Sequence, residues 1–334
     1  MKAIVIADIH LSMYSNDPVV EGISMRLFYL NSVLRRIADY AIKHKIDIII
    51  IAGDIYHTKS SIHAVAQDVL LEYVRDYQDL LFYVIDGNHD MSSKSGKGVS
   101  GLKCLDNEPN VYMMHEPTMV ENIFFVPWNA KTMVETVKNG QADYLISHFG
   151  LNEAMLNSGI SIISDLGMKD LAHYKWCLLG HYHMPQELGN VIIPGSIIQL
   201  DWGEKHEEKR FIILDTDKHT WKSVPTQGYV EHHALELTDE NKEDVLKLAR
   251  KLKDKGHQVK INRMTVGVDM AELQDEFVVV DKVEKDITNR GIDSSMSMSD
   301  IFKRYMEIEG IPKEKWPAYE AMAVKIVNTA REGL

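Results

Sequence analysis

The chain has 334 residues, 45% of them apolar and 26% charged, a balance that supports a packed core and excludes a disordered chain. Its formal charge of −12 excludes a protein that coats nucleic acid non-specifically, although cations held in a cleft would override that field locally. No apolar run approaches the roughly 20 residues that cross a bilayer.

Val- and Ile-rich runs at residues 2–7, 46–52 and 80–85 each end at Gly, Asp or His and predict strands. Helix-length amphipathic stretches separate them, at about 25–44 and 61–78. Strand-like runs continue at 122–127, 142–147, 174–180, 190–194 and 209–215, so sheet is expected to about residue 225. Such alternation predicts an α/β layer structure, with functional residues on loops at the C-terminal strand ends. The N-terminal Met-Lys-Ala-Ile-Val-Ile-Ala-Asp is too short and too soon charged for a signal peptide. The two cysteines, Cys104 and Cys177, lack CxxC spacing and read as reduced thiols, so a soluble cytoplasmic protein is expected.

Composition changes after residue 226. Residues 231–290 predict a strand (His233–Leu237), a charged helix (Asn241–Lys253), a strand (Val259–Ile261) and an apolar run at 277–283, with no candidate ligand cluster. A Gly/Ser-rich linker is expected at 291–299, then two helices at about 300–309 and 314–331. The expected division is therefore 1–226, 227–290, a linker at 291–299, and a helical tail at 300–334.

Five strand ends carry the polar motifs: Asp8-Ile-His10, Gly53-Asp54-Ile-Tyr-His57, Gly87-Asn88-His89-Asp90, Ser147-His148 and Gly180-His181-Tyr-His183. A single Asp after a strand is usually a cap or turn residue, and a single His is usually structural. DxH and HxH differ from these, because residues two apart on an extended chain point to the same side. Mixed carboxylate, amide and imidazole donors suit Mn²⁺, Fe or Zn²⁺, and no thiolate competes.

The order DxH, GDxxH, GNHD, H, GHxH resembles the calcineurin-like metallophosphoesterase superfamily. The resemblance implies a two-sheet mixed α/β sandwich flanked by helices. It implies that Asp8, His10 and His183 hold one divalent ion and that Asn88, His148 and His181 hold another, with Asp54 bridging. It implies His89 as general acid, Asp90 orienting or polarising its ring, and His57 contacting the phosphoryl group. The implied cofactors are two divalent ions, Mn²⁺ first, with Mg²⁺, Fe²⁺ or Zn²⁺ as alternatives.

Protein phosphatases of this superfamily follow the bridging Asp with Val-Asp-Arg-Gly, whereas this chain has Ile55-Tyr56-His57-Thr58. Gly180-His181-Tyr-His183-Met-Pro185-Gln186, Ile193-Pro194-Gly195-Ser196, and Gly203-Glu204 with Lys209-Arg-Phe211-Ile-Ile-Leu-Asp215 instead resemble the SbcD/Mre nuclease branch, in a compact form like the viral versions. Arg210 departs from that branch's usual Gly, and Ser12 stands where Gly is common. The branch implies a DNA exonuclease or endonuclease for end processing, with a nuclease domain, a small capping domain, and a tail that grips the coiled coil of an SbcC-type ABC ATPase within a homodimeric complex. Lys94, Lys97 and Lys103, in an acid-free loop after the GNHD motif, are candidate DNA-backbone contacts. Two other readings stand beside this one: a small-molecule phosphodiesterase or nucleotidase, and a non-catalytic metal-holding scaffold for the ATPase.

Overall fold

The computed structural model describes all residues except 60, 94–97, 130–131, 266–270, 283–297 and 320–334. In chain order the elements are β1 (Lys2–Ile6), β2 (Val19–Val20), β3 (Ile23–Ser24), α1 (Met25–Lys43), β4 (Ile48–Ala52), α2 (Ala64–Asp76), β5 (Leu81–Ile85), β6 (Val111–Met114), β7 (Thr118–Val120) and β8 (Ile123–Val126). There follow α3 (Met133–Asn139), β9 (Tyr144–His148), β10 (Trp176–Gly180), β11 (Gln186–Leu188), β12 (Val191–Ile193), β13 (Arg210–Asp215) and β14 (Thr220–Pro225). The rest are β15 (His232–Leu237), α4 (Lys242–Asp254), β16 (Gln258–Arg263), α5 (Ala271–Gln274), β17 (Val278–Asp281) and α6 (Met298–Ile308).

The chain divides into two compact units. The first, Met1–Ala234 with Lys251–Val259, is the mixed α/β sandwich that the motif order implied. One six-stranded sheet runs β14-β13-β1-β4-β5-β6 and the other β11-β12-β10-β9-β8-β7. Strands β1, β4, β5 and β6 are mutually parallel, as are β8, β9 and β10.

Alternation along each strand explains the layers. In β4, Ile49 and Ile51 pack with Ile4, Ile6, Phe82 and Val84 against Leu30, Leu34 and Ile37 of α1 and Leu70 and Tyr73 of α2. Their neighbours Ile50 and Ala52 point the other way, joining Val5, Ile85, Phe125, Ile146 and Leu178 in the core between the sheets. On the far side, Leu145, Cys177, Leu179 and Val191 pack against Val137 of α3 and the buried Leu151, Leu166 and Leu171. β4 is apolar throughout because both its faces are covered.

The second unit, Leu235–Arg250 with Lys260–Leu334, contains the parallel pairing of β16 with β17, from Lys260 opposite Val278 to Arg263 opposite Asp281. The expected linker is described only at 298–299, where α6 has already begun, and the expected second tail helix is described only to Tyr319. Within α6, Ile301 is half-buried, whereas Tyr305 and Ile308 are exposed. No described helix is long and apolar enough to cross a membrane.

A charge relay braces the turn beneath the GNHD motif. Buried Asp86 accepts from Ser100 Oγ and from His115 Nδ1 at 2.7 Å, and His115 Nε2 reaches Asp106 at 2.9 Å. The Asp86 carboxylate, helped by Asp106, holds the His115 imidazolium up to about 9 from an ordinary 6.5. A pKa raised on folding stabilises below the unfolded value and is lost as pH rises through the folded one. The His115→Gln variant should therefore show its largest melting-temperature deficit near pH 6, shrinking between pH 6.5 and 9. A deficit constant across that range in thermal melts would remove the relay from the stability account.

Candidate metal centre

The five motifs emerge from C-terminal strand ends on one rim of the sandwich. Asp8 and His10 follow β1, Asp54 follows β4, Asn88 and His89 follow β5, His148 ends β9, and His181 and His183 follow β10. The loops after β1 and β4 are zipped together by Asp8 N–H to Gly53 O (3.1 Å), His10 N–H to Asp54 O (3.0 Å) and Leu11 N–H to Ile55 O (2.7 Å). Asp8, His10, Asp54 and His181 all sit at positive φ, at 52°, 57°, 52° and 99°. Left-handed backbone at non-glycine residues costs on the order of 1–3 kcal/mol each and clusters where function requires it.

Close approach explains two glycines. A Cβ on Gly87 would lie 2.2 Å from Asp54 N and 2.3 Å from its Oδ1, and one on Gly53 would lie 2.5 Å from His148 Nδ1. Any side chain there would displace the carboxylate or the imidazole.

The donors converge in two sets. Asp8, His10 and His183 place one donor atom each within 4.8 Å of the others, as do Asp54, His148 and His181. Asn88 Oδ1 joins the second set, 3.1 Å from His148 Nε2 and 2.9 Å from His181 Nδ1. Asp54 Oδ2 lies between the sets, 3.2 Å from His148 Nε2 and 3.8 Å from His10 Nε2. The clustered Asp and His residues are compatible with a dimetal site.

Two details of this chain fit cations. The Nε2 atoms of His10 and His183 face each other at 2.9 Å, an approach that a shared ion would relieve. The outward nitrogens are also occupied: His148 Nδ1 donates to Ala52 O (2.8 Å) and His183 Nδ1 to Glu204 Oε1 (2.8 Å). Each contact leaves the Nε2 lone pair facing the cluster, the usual device for setting a ligand tautomer.

Electrostatics follow the same layout. Burial pushes Asp8 up to about 7. At Asp54 burial also opposes ionisation, but His148 and His10 outweigh it and hold the carboxylate well below the ordinary range. Burial depresses His181 to about 4 and His10 well below its ordinary value, so both imidazoles are neutral and free to coordinate.

His89 is half-buried at the edge of the cluster, its ring 5.0 Å from that of His10. Its N–H donates to Asp54 Oδ1 at 2.7 Å and its Nδ1 donates to His57 O at 2.6 Å. Exposed His57 lies 5.4 Å, centroid to centroid, from His10.

The structure departs from expectation at Asp90. Its carboxylate does not orient the His89 ring; the His57 carbonyl takes that place. Both Asp90 oxygens are occupied by backbone amides: Oδ1 by Ile55 and Tyr56 (3.0 Å each), Oδ2 by Gly87 (2.9 Å). With its acceptor positions turned to these N–H groups, the carboxylate braces the Asp54 and Asn88 loops against each other. Lys103 is exposed on a short 3₁₀ turn, while Lys94 and Lys97 lie outside the described residues.

Glu204 and Lys209 are legible in the sequence as motif residues but not as parts of the site. Fully buried Glu204 accepts from His183, from Ser196 Oγ (2.9 Å) and Leu200 N (3.0 Å), and pairs with Lys209 Nζ at 2.7 Å. Lys209, also fully buried, reaches His183 O at 2.9 Å and Glu207 at 2.6 Å. Burial works against the Glu204 charge, yet the His183 ring and Lys209 outweigh it and hold the carboxyl at about 2. Partners of this kind typically set 10–100-fold in metal affinity. Glu204→Gln should therefore weaken metal binding by about 10–100-fold in a calorimetric titration. Unchanged affinity would leave Glu204 with a purely structural role.

Comparison with known proteins bears on this geometry. The sequence profile of the calcineurin-like phosphoesterase family matches residues 1–187. The SbcD component of the nuclease SbcCD from Staphylococcus epidermidis is 22% identical over 303 residues, covering 77% of this chain and 77% of that protein. The DNA double-strand break repair protein Mre11 of Archaeoglobus fulgidus is 21% identical over 242 residues, 63% of this chain and 53% of that protein, so the match spans about half of Mre11. Among solved structures, an archaeal phosphodiesterase is similar at 13% identity and a TM-score of 0.35, covering 67% of this chain and 99% of that one.

Proposed function

The chain belongs to the calcineurin-like phosphoesterase family, and from that premise we propose that it is a two-metal DNA nuclease, hydrolysing phosphodiesters as an exonuclease or endonuclease in the cytoplasm. The observation that carries the reading is the pair of donor sets with the Asp54 carboxylate between them and His89 placed beside them. A purely structural site needs the donors but has no use for that extra histidine.

In this reading Asp8, His10 and His183 hold one ion, Asn88, His148 and His181 the other, and Asp54 bridges. When bound, two divalent cations supply Lewis acidity at phosphoryl oxygens and make hydroxide available near neutral pH. Mn²⁺ is the first candidate for this nitrogen and oxygen donor set, before Mg²⁺, Fe²⁺ and Zn²⁺. His89 protonates the leaving oxygen: the His57 carbonyl holds Nδ1–H, so Nε2–H delivers the proton. His57 itself contacts the transferring phosphoryl group, and Asp90 holds the loops that aim both.

DNA as substrate is supported by the names of the two relatives, a nuclease component and a double-strand break repair protein. Lys94, Lys97 and Lys103 would meet its phosphates. The same relationship supports an SbcC-type ABC ATPase as partner in a homodimeric complex. Residues 1–226 would be the nuclease domain and 227–290 the cap, with a linker at 291–299 and the tail at 300–334 seated on the ATPase coiled coil. Exposed Tyr305, Ile308 and Tyr319 suit that contact.

The experiment is hydrolysis of end-labelled duplex and single-stranded DNA, and of a small phosphodiester, after chelation and with Mn²⁺ restored. DNA cleavage that disappears on chelation and returns with Mn²⁺ is expected. Turnover of the small ester alone would replace the nuclease by a small-molecule phosphodiesterase.

A further inference from the structure

Residues 227–259 offer no ligand motif to a linear reading, yet the fold assembles one. Glu231 and His233, two apart at the start of β15, point to the same side of the chain. His257 stands immediately before β16, after the turn in which Gly256 adopts φ 86° and the His257 amide bonds to Leu252 O at 3.1 Å. Backbone bonding of Gln258 N–H to Glu231 O (2.9 Å) brings the two segments side by side. All three residues lie in the first compact unit and none belongs to the catalytic donor sets.

One donor atom from each lies within 4.8 Å of the other two. The His233 and His257 rings are 5.3 Å apart at 66°, and His233 Nε2 lies 3.0 Å from Glu231 Oε2. His233 Nε2 is shut off from solvent and faces the Glu231 carboxylate without completing a well-aligned hydrogen bond. We propose that Glu231, His233 and His257 form a second, separate metal site for a Zn²⁺-like ion, with a fourth position for water.

The chemistry favours this class of ion. Two imidazoles and one carboxylate make a borderline-soft set that suits zinc, whereas calcium and magnesium take oxygen ligands. Burial, with His257 and His206 nearby, depresses His233 against the opposing pull of Glu231. Ligation through either nitrogen of His257 gives up the 3.2 Å contact from the Glu231 amide to its Nδ1, the local cost of loading. In return the ion fastens the chain at two places 24 positions apart in sequence, close to Ala234 and Val259 where the first unit ends. An ion bound only by the folded state stabilises it by mass action.

The test counts zinc. Full-length protein is stripped with chelator, titrated with Zn²⁺ and weighed by native mass spectrometry, alongside His233→Ala/His257→Ala and the milder Glu231→Gln. Both variants should carry one zinc fewer than the wild type, with Mn²⁺-dependent phosphodiester turnover unchanged. Because the result is a difference between chains, it does not depend on how many ions the catalytic cluster holds. Equal zinc content in wild type and Glu231→Gln, whose replaced side chain has almost the same volume, would overturn the site even if the double variant failed to fold.

Discussion

Asp54→Asn should reduce phosphodiester hydrolysis to the detection limit, the largest single effect expected at any position. The substitution keeps the shape of the side chain and its acceptor for the His89 amide, but removes the charge that lies between the two donor sets, 3.2 Å from His148 and 3.8 Å from His10. Without that carboxylate the cluster keeps one acidic donor, Asp8, which burial already pushes up to about 7. Two divalent cations would then be held a few ångströms apart with little anionic charge between them, and Coulomb repulsion in a partly dry site is severe. Metal content measured by mass spectrometry should fall below two Mn²⁺ per chain at concentrations that fill the wild type. Two tightly bound ions and wild-type turnover in Asp54→Asn would end the bridging assignment.

His89→Ala should lose roughly 10²–10⁴-fold in turnover on DNA while keeping both ions, because general acid catalysis typically contributes that much. A second substrate separates acid catalysis from a general disturbance of the site. A diester with a nitrophenolate leaving group needs little proton donation, so its hydrolysis should fall far less in the variant. Equal losses on both substrates would make His89 a positioning residue. Metal loss in the variant would make it structural.

How much of this is legible in the chain depends on how far apart the interacting groups lie. The donors of the centre stand in compact motifs at strand ends, and β1, β4 and β5 are apolar enough to be recognised alone, so their order suffices to bring Asp8, Asp54 and Asn88 to one rim. Short edge strands such as β7 and β11 carry too few apolar residues to show a period, and they emerge only from pairing with β8 and β12. Asp90 deceives for a related reason. Adjacency to His89 suggests contact, but neighbours in a turn diverge, and the amides of Ile55 and Tyr56 some 35 positions away claim the carboxylate. The supports of His183 show the same limit: Glu204 is 21 positions downstream, and only the fold reveals that a buried lysine, carboxylate and imidazole form one chain. The Glu231, His233 and His257 group escapes a linear reading because its members are spread over two segments that only the sheet brings together.

The span of the centre along the chain also dictates when it can exist. His10 and His183 approach each other across 173 positions, and the buried carboxylate behind His183 arrives later still. Contacts between such distant segments come late in folding, since loop-closure entropy must be met before the contacts reward it. During synthesis, therefore, an emerging chain already displays Asp8, His10 and Asp54 on the ribosome while lacking the imidazoles of the second sheet. Any product that ends before His183 therefore lacks an imidazole of the cluster and cannot assemble the full donor set.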